Sequence, residues 1–190
     1  MTEREKMDAG ELYDPNDPAL VAGRAKARAL CSRLNARLEA TPEENRELLG
    51  ELLGSGADTA LIQPPFFCDY GDNIHLGEKV FFNFNCVVLD VCPVRIGSFT
   101  MFGSAVQVMT PLHPVDAMER RGKEYGAPVT IGSDVWVGSG AIILPGVTIG
   151  DRTIIGAGSV VTRDIPSDVL AVGNPCRVIR QLAPGERPGS

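Results

Sequence analysis

Histidine is scarce in this sequence: two residues in 190, alongside a single tryptophan and an aromatic share of only 6%. A metal centre built on three imidazoles is therefore excluded. No apolar run reaches the roughly 18 residues a membrane-spanning helix needs, and no charged-then-apolar leader opens the chain. The expected location is the cytoplasm, without a membrane partner. An excess of positive charge is missing too, with 18 Lys and Arg against 24 Asp and Glu. Nucleic acid, which is held by releasing counterions to a basic stripe, is not an expected partner. The five cysteines, at 31, 68, 86, 92 and 176, have neither the even count nor the spacing of a disulfide or metal scaffold, and read as reduced thiols. With 44% hydrophobic and 22% charged residues, the chain has the material for one folded domain with a small appendage.

The aliphatics are arranged with a period of six. Ile131, Val137, Ile143, Ile149, Ile155 and Val161 form an unbroken series, and four residues after each comes a small or β-branched side chain: Val135, Ala141, Val147, Thr153, Ser159, Ile165. Earlier, Leu76, Phe82, Val88 and Val94 form one six-residue series and Ile96, Phe102 and Val108 another, displaced by two, so a slip falls near residue 95. Six matches neither the helical period nor simple strand alternation. Each hexad instead supplies a short strand and a corner, and like side chains stack coil upon coil. The prediction is a parallel β-solenoid.

The first 58 residues read differently, as a helical segment. Asp17-Pro18 and Thr41-Pro42-Glu43-Glu44 are both helix starts, with an oxygen acceptor followed by a proline whose missing N–H costs nothing in the first turn. Helices are expected over roughly 18–38 and 42–53. The solenoid is expected over 59–183, including a C-terminal extension, and 184–190 as a disordered tail. Between Val108 and Ile131 the period breaks, and residues 111–128, with three prolines and a charge cluster, read as a loop leaving the coil. His113 stands at its start.

Several motifs now carry a resemblance: Gly10-Glu11-Leu12-Tyr13, Tyr70-Gly71-Asp72-Asn73-Ile74, Phe82-Asn83-Phe84-Asn85-Cys86, His113-Pro114, Val135-Trp136-Val137-Gly138, Pro145-Gly146-Val147-Thr148-Ile149-Gly150, Gly156-Ala157-Gly158-Ser159 and Gly173-Asn174-Pro175-Cys176-Arg177. In this order they resemble the sugar O-acetyltransferases of the hexapeptide-repeat superfamily, the maltose and galactoside acetyltransferase group, over residues 7–180. The resemblance implies a mainly β fold, a left-handed parallel β-helix behind a helical segment, assembled as a homotrimer. It also implies acetyl-CoA as acetyl donor and a sugar or glycoside hydroxyl as acceptor.

The residues are then assigned by the resemblance and by the chemistry of the reaction. His113 is the expected general base, because a neutral imidazole can take a hydroxyl proton and return it to the departing thiolate. Glu124, in the same loop, is expected to orient it. Asp17, Asp69, Asn83 and Asp90 are the expected acceptor contacts, with Asp14 an alternative to Asp17, which already serves as a helix cap. Ser139, Ala157, Thr162, Arg163, Arg177 and Arg180 are expected along the coenzyme groove, the serine towards the thioester carbonyl and the arginines towards phosphates. In the family His113 and the donor contacts come from neighbouring subunits, which would place His113 and Arg163 of one chain in different sites. Trp136 fits either a channel lining or a corner filler, and His75 reads as an outward surface side chain. Gly103-Ser104-Ala105 and Pro111-Leu112 depart from the family pattern and bear on which acceptor is used. Against a cysteine acyl-enzyme, Cys86 and Cys92 read as core. Two histidines cannot form a hexapeptide-fold carbonic anhydrase, and the helical segment is short for a serine acetyltransferase. A non-catalytic binding solenoid and a non-sugar acceptor stay open as alternatives.

Overall fold

A computed structural model describes residues 1–185, so the tail expectation for 186–190 lies outside the described residues, while Pro184 and Gly185 form a turn. From residue 61 the chain winds as a parallel β-helix of triangular section. Face one stacks Leu61–Ile62, Phe81–Phe82, Met101–Phe102, Trp136–Val137, Ile154–Ile155 and Val169–Val172. Face two stacks Phe66–Cys68, Cys86–Leu89, Gln107–Met109, Ile142–Ile143 and Val160–Val161. Face three stacks Ile74–Leu76, Val94–Ile96, Val129–Ile131 and Thr148–Ile149.

The hexad aliphatics point inward and stack in register: Phe82 on Phe102 on Val137 on Ile155, and Val88 on Val108 on Ile143 on Val161. All eight are buried. The rings of Phe82 and Phe102 lie parallel with centroids 4.5 Å apart, continuing the column where aromatics replace aliphatics. Residues of the second register, including Ala141, Thr153 and Ser159, fill the corners, where a larger side chain would meet the coil above.

The slip near residue 95 has a structural cause that corrects one assignment. Leu76 stacks on Ile96, twenty residues on, whereas Ile131 stacks on Ile149, eighteen on. Val94 pairs with Ile74 and does not continue the Leu76 series. The extra residues lie at the edge joining face two to face three, in the corners 69–73 and 90–93, and the excursion 111–128 leaves from that same edge. This edge, here the second, is where the coil departs from strict repetition. The first edge joins faces one and two, and left-handed backbone recurs there at Asn85, Ala105, Gly140 and Gly158.

Three helices form the N-terminal segment: α1 (Glu3–Asp8), α2 (Pro18–Asn35) and α3 (Arg46–Leu52). Helix α1, which starts on a capping box between Thr2 and Glu5, is not among the helices expected from the sequence. Asp17 caps α2, its Oδ1 accepting from the Ala19 N–H at 2.9 Å. Helix α2 stops at Asn35, short of 38, and the Asn35 amide clasps both backbone groups of Phe66, at 2.8 and 3.0 Å. Helix α3 starts later than expected. Thr41 and Glu44 do exchange cap bonds, but these close a separate turn before Arg46. Through Leu30, Leu34, Leu49 and Leu52 the helices cover the open end of the first coil, hiding an edge that would otherwise pair with other strands. Among the described residues no helix is long and apolar enough to cross a membrane.

The outer faces differ in character. Face three presents His75, Arg95, Thr130 and Thr148. Face one presents Leu61, Phe81, Met101, Trp136, Ile154 and Leu170, and face two Phe67, Val87, Gln107, Ile142 and Val160. Apart from Gln107, two adjoining faces are thus apolar outside as well as inside.

Candidate active site

The chemistry-bearing side chains gather at the second edge. Pro111–Leu112 pairs antiparallel with Tyr125–Gly126, which closes the excursion into a finger and brings residues 113 and 124 opposite each other. His113 Nε2 lies 3.8 Å from Glu124 Oε1, the imidazole side chain 55% exposed and the carboxylate 15%. Glu124 is held from behind: the Tyr13 hydroxyl donates to its Oε2 at 2.7 Å, and the two backbones exchange N–H to carbonyl bonds at 2.9 and 3.2 Å. Tyr13 is fully buried beside Met7, Leu20, Tyr70, Val91 and Cys92. Burial and the neighbouring Glu124 charge together push the Tyr13 hydroxyl's pKa far up, so it stays a donor.

Tyr13 is a functional candidate to which the sequence alone assigns no role. Its contact spans 111 residues and belongs to no period; only the Gly10-Glu11-Leu12-Tyr13 motif marks it. Deleting the hydroxyl leaves one oxygen of a largely buried carboxylate unpartnered. Tyr13→Phe is therefore expected to lower kcat about tenfold, in line with a lost hydrogen bond to a charged group, with coenzyme affinity unchanged. Steady-state kinetics beside coenzyme titration would check this, and a rise in the coenzyme Kd alone would contradict it.

Asp69 and Asp90 occupy the adjoining corners of this edge. Half-buried Asp69 has its pKa raised by burial and then by Glu124, with Arg24 and Arg28 opposing. Asp90 differs from expectation. It is fully buried, and its oxygens accept from the backbone N–H of Asp69 at 3.1 Å, Tyr70 at 2.9 Å and Asn73 at 3.3 Å. Within the described chain it is a brace for the 69–73 corner and no open acceptor contact. Arg24 extends that corner, donating to the Tyr70 hydroxyl and to the Pro15 carbonyl, both at 2.6 Å.

Burial raises the Asp90 pKa from an ordinary 3.8 to about 6. A carboxyl whose folded-state pKa is raised favours folding while it is protonated and loses that advantage as pH rises through the folded value. The pH-dependent part amounts to about 3 kcal/mol. Urea melts should show Asp90→Asn gaining on the wild type by about that amount between pH 3 and pH 8. A difference that stays flat over this range would show that the backbone hydrogen bonds offset burial and the folded-state pKa is not raised.

The remaining candidates are spread over both edges and the C-terminal strand. Asn83, with Oδ1 accepting from the Phe84 N–H at 2.8 Å, stands at the first edge with exposed Ser139 and Ala157. Beside them Gly140 and Gly158, at φ of +69° and +68°, have nothing within 4 Å of where a side chain would begin, so this edge is open along two coils. Thr162 and Arg163 are exposed at the second edge, on the same side as His113. Arg177 and Arg180 project from Arg177–Gln181, the exposed strand that pairs antiparallel with Val169–Val172. Trp136 faces outward on face one, about half exposed, and is not a corner filler. Cys86 and Cys92 are buried and donate to the carbonyls of Gly103 and Met7, and burial raises the Cys92 thiol to about 11. Neither is poised as a nucleophile.

Comparison with known proteins decides the family. The maltose acetyltransferase hexapeptide capping motif matches residues 6–56, and the six-repeat bacterial transferase hexapeptide matches 128–163. The fold superposes on a maltose O-acetyltransferase from Clostridium difficile with a TM-score of 0.92 and 49% identity, covering 96% of this chain and 98% of that one. The chain belongs to the maltose and galactoside acetyltransferase group of the hexapeptide-repeat superfamily. A galactoside acetyltransferase in complex with coenzyme A matches with a TM-score of 0.87 and 37% identity, over 96% and 92% of the two chains. Nodulation protein L of Rhizobium meliloti is 50% identical over 178 residues, 93% of this chain and 97% of that protein. The solenoid is accordingly the left-handed β-helix of this family, and the chain is an acetyltransferase.

Proposed function

We propose that this acetyltransferase moves an acetyl group from acetyl-coenzyme A to a hydroxyl of a sugar or glycoside by direct attack, with His113 as general base. The observation that carries this reading is the array Tyr13–Glu124–His113 on an edge flanked by Asp69. With one imidazole nitrogen turned to a fixed carboxylate, the other is left to take the hydroxyl proton, and Glu124 stabilises the imidazolium as it forms. As the tetrahedral intermediate collapses, the same proton goes to the sulfur of the leaving coenzyme. The buried cysteines give no support to an acyl-enzyme. Relatives named for maltose and galactoside favour a sugar acceptor, with Asp69 and Asn83 as its contacts. Thiol release assayed over a panel of mono- and oligosaccharides should depend on the sugar supplied; release indifferent to every hydroxyl compound would overturn the reading.

For the donor, the open first edge at Ser139, Ala157 and Gly158 offers small side chains and bare backbone to a pantetheine arm. Thr162 and Arg163, on the second edge, would meet the same donor from the neighbouring copy, and Arg177 and Arg180 meet phosphates. Arg177→Ala should weaken acetyl-coenzyme A binding more at low than at high ionic strength, since exposed charge pairs are screened by salt. Calorimetric titration at two salt concentrations tests it, and an unchanged Kd at low salt would remove Arg177 from the site.

His113 and the donor groove occupy different edges of one chain, and the two apolar outer faces meet at the groove edge. Burying such faces favours association, and a closed three-fold ring sets the groove of one copy beside the loop of the next. This supports a homotrimer with shared sites. Arg163, on the edge that carries His113, is not the residue to separate the two halves; Ala157 is. Five buried cysteines, all free thiols, suit a reducing cytoplasm.

A further inference from the structure

One pair of side chains outside this machinery has a chemistry of its own. Cys31 shares the inward stripe of α2 with Ala27 and Leu34, and Cys68 takes the hexad position of the first coil, below Val88. Because the first coil is covered by a helix and not by another coil, the two meet, with Sγ atoms 3.7 Å apart. Both line a surface cavity of about 370 Å³ with Arg28, Ser32, Asn35 and Phe67. They are 4% and 8% exposed at its wall. Cys86, Cys92 and Cys176 are equally buried, but no second thiol is recorded beside any of them.

We propose that Cys31 and Cys68 are a peroxide-reactive dithiol that closes reversibly into a disulfide, tying helix α2 to the first coil. The separation lies within reach of side-chain rotation towards a bond of about 2 Å, and the cavity admits a small oxidant. Either sulfur can donate in this contact, and Cys31 is the favoured attacker of the two. The hydrogen bond with Cys68 lowers its pKa, while the same bond and burial raise that of Cys68. The Cys31 thiolate attacks one oxygen of hydrogen peroxide, the O–O bond breaks, and the departing hydroxide takes the thiol proton and leaves as water. The resulting sulfenic acid is attacked by the Cys68 sulfur. The S–S bond forms as the S–O bond breaks, and the Cys68 proton leaves with the hydroxyl as a second water. Two thiols and one peroxide give one disulfide and two waters.

The test is alkylation of the denatured protein after brief peroxide treatment of the native enzyme, followed by tryptic mass mapping. Three of the five cysteines should be alkylated, and residues 29–33 should be joined to 47–79, a link that dithiothreitol dissolves. Cys31→Ser, shown to be folded by its melting curve, should yield four alkylated thiols and no joined peptide. Five alkylated thiols in the treated wild type would overturn the proposal. So would a pairing that omits either residue, or a Cys31 that ends as sulfinic acid.

Discussion

His113→Ala should lower kcat by about two to four orders of magnitude while leaving the affinity for acetyl-coenzyme A close to that of the wild type. The size follows from what the imidazole does. A sugar hydroxyl is a poor nucleophile at neutral pH, and the bond to the acetyl carbon forms only as its proton leaves. Two other carboxylates at the second edge are already engaged, Glu124 with the Tyr13 hydroxyl and Asp90 with backbone N–H groups. The imidazole side chain is exposed, so its removal leaves no cavity and the fold should hold. A variant that keeps near-normal turnover would remove His113 from the mechanism. One that loses coenzyme binding in the same proportion would make it a binding residue.

Ala157→Trp should abolish turnover as thoroughly from the other side. Ala157 is exposed at the first edge beside Gly158, whose backbone has open space before it. An indole placed there obstructs the groove without entering the core, and apparent coenzyme affinity should fall by at least about two orders of magnitude. Melting temperature should barely move, since an exposed corner substitution disturbs no packed neighbour. Fluorescence or calorimetric titration with acetyl-coenzyme A measures the loss. Unchanged affinity would place the donor on another surface of the solenoid.

Much of this architecture is legible in the sequence because a solenoid writes its fold as a period. Ile131 to Val161 can recur at every sixth position only if each faces the same thin interior. Where the coil carries extra residues the signal fails for a physical reason: Val94 and Ile96 are alternate residues of one strand and both are buried, so either fits the column. The site is less legible. His113 and Glu124 can be read from loop and chemistry, yet the finger that sets them opposite each other depends on a two-stranded pairing with no hexad signature. Asp90 reads as a contact because a carboxylate at a corner looks available; its neighbours' N–H groups, visible only once the corner is folded, occupy it. Tyr13 and the Cys31–Cys68 pair are contacts across the cap, and no spacing rule connects α1 or α2 to the coil beneath. Thr41 shows the opposite failure, a correct local cap signal used for a turn in front of the helix.

The proposed assembly of each site from two edges of neighbouring chains is tested most directly by mixing the two inactive proteins. His113→Ala and Ala157→Trp subunits, unfolded together in equal amounts and refolded, should regain about a quarter of the wild-type rate, because in a random three-fold ring one site in four joins an intact loop to an intact groove. Each variant refolded alone should stay inactive. Mixed trimers, verified by a tag on one subunit, that show no recovered activity would place the loop and the groove of each site in the same chain.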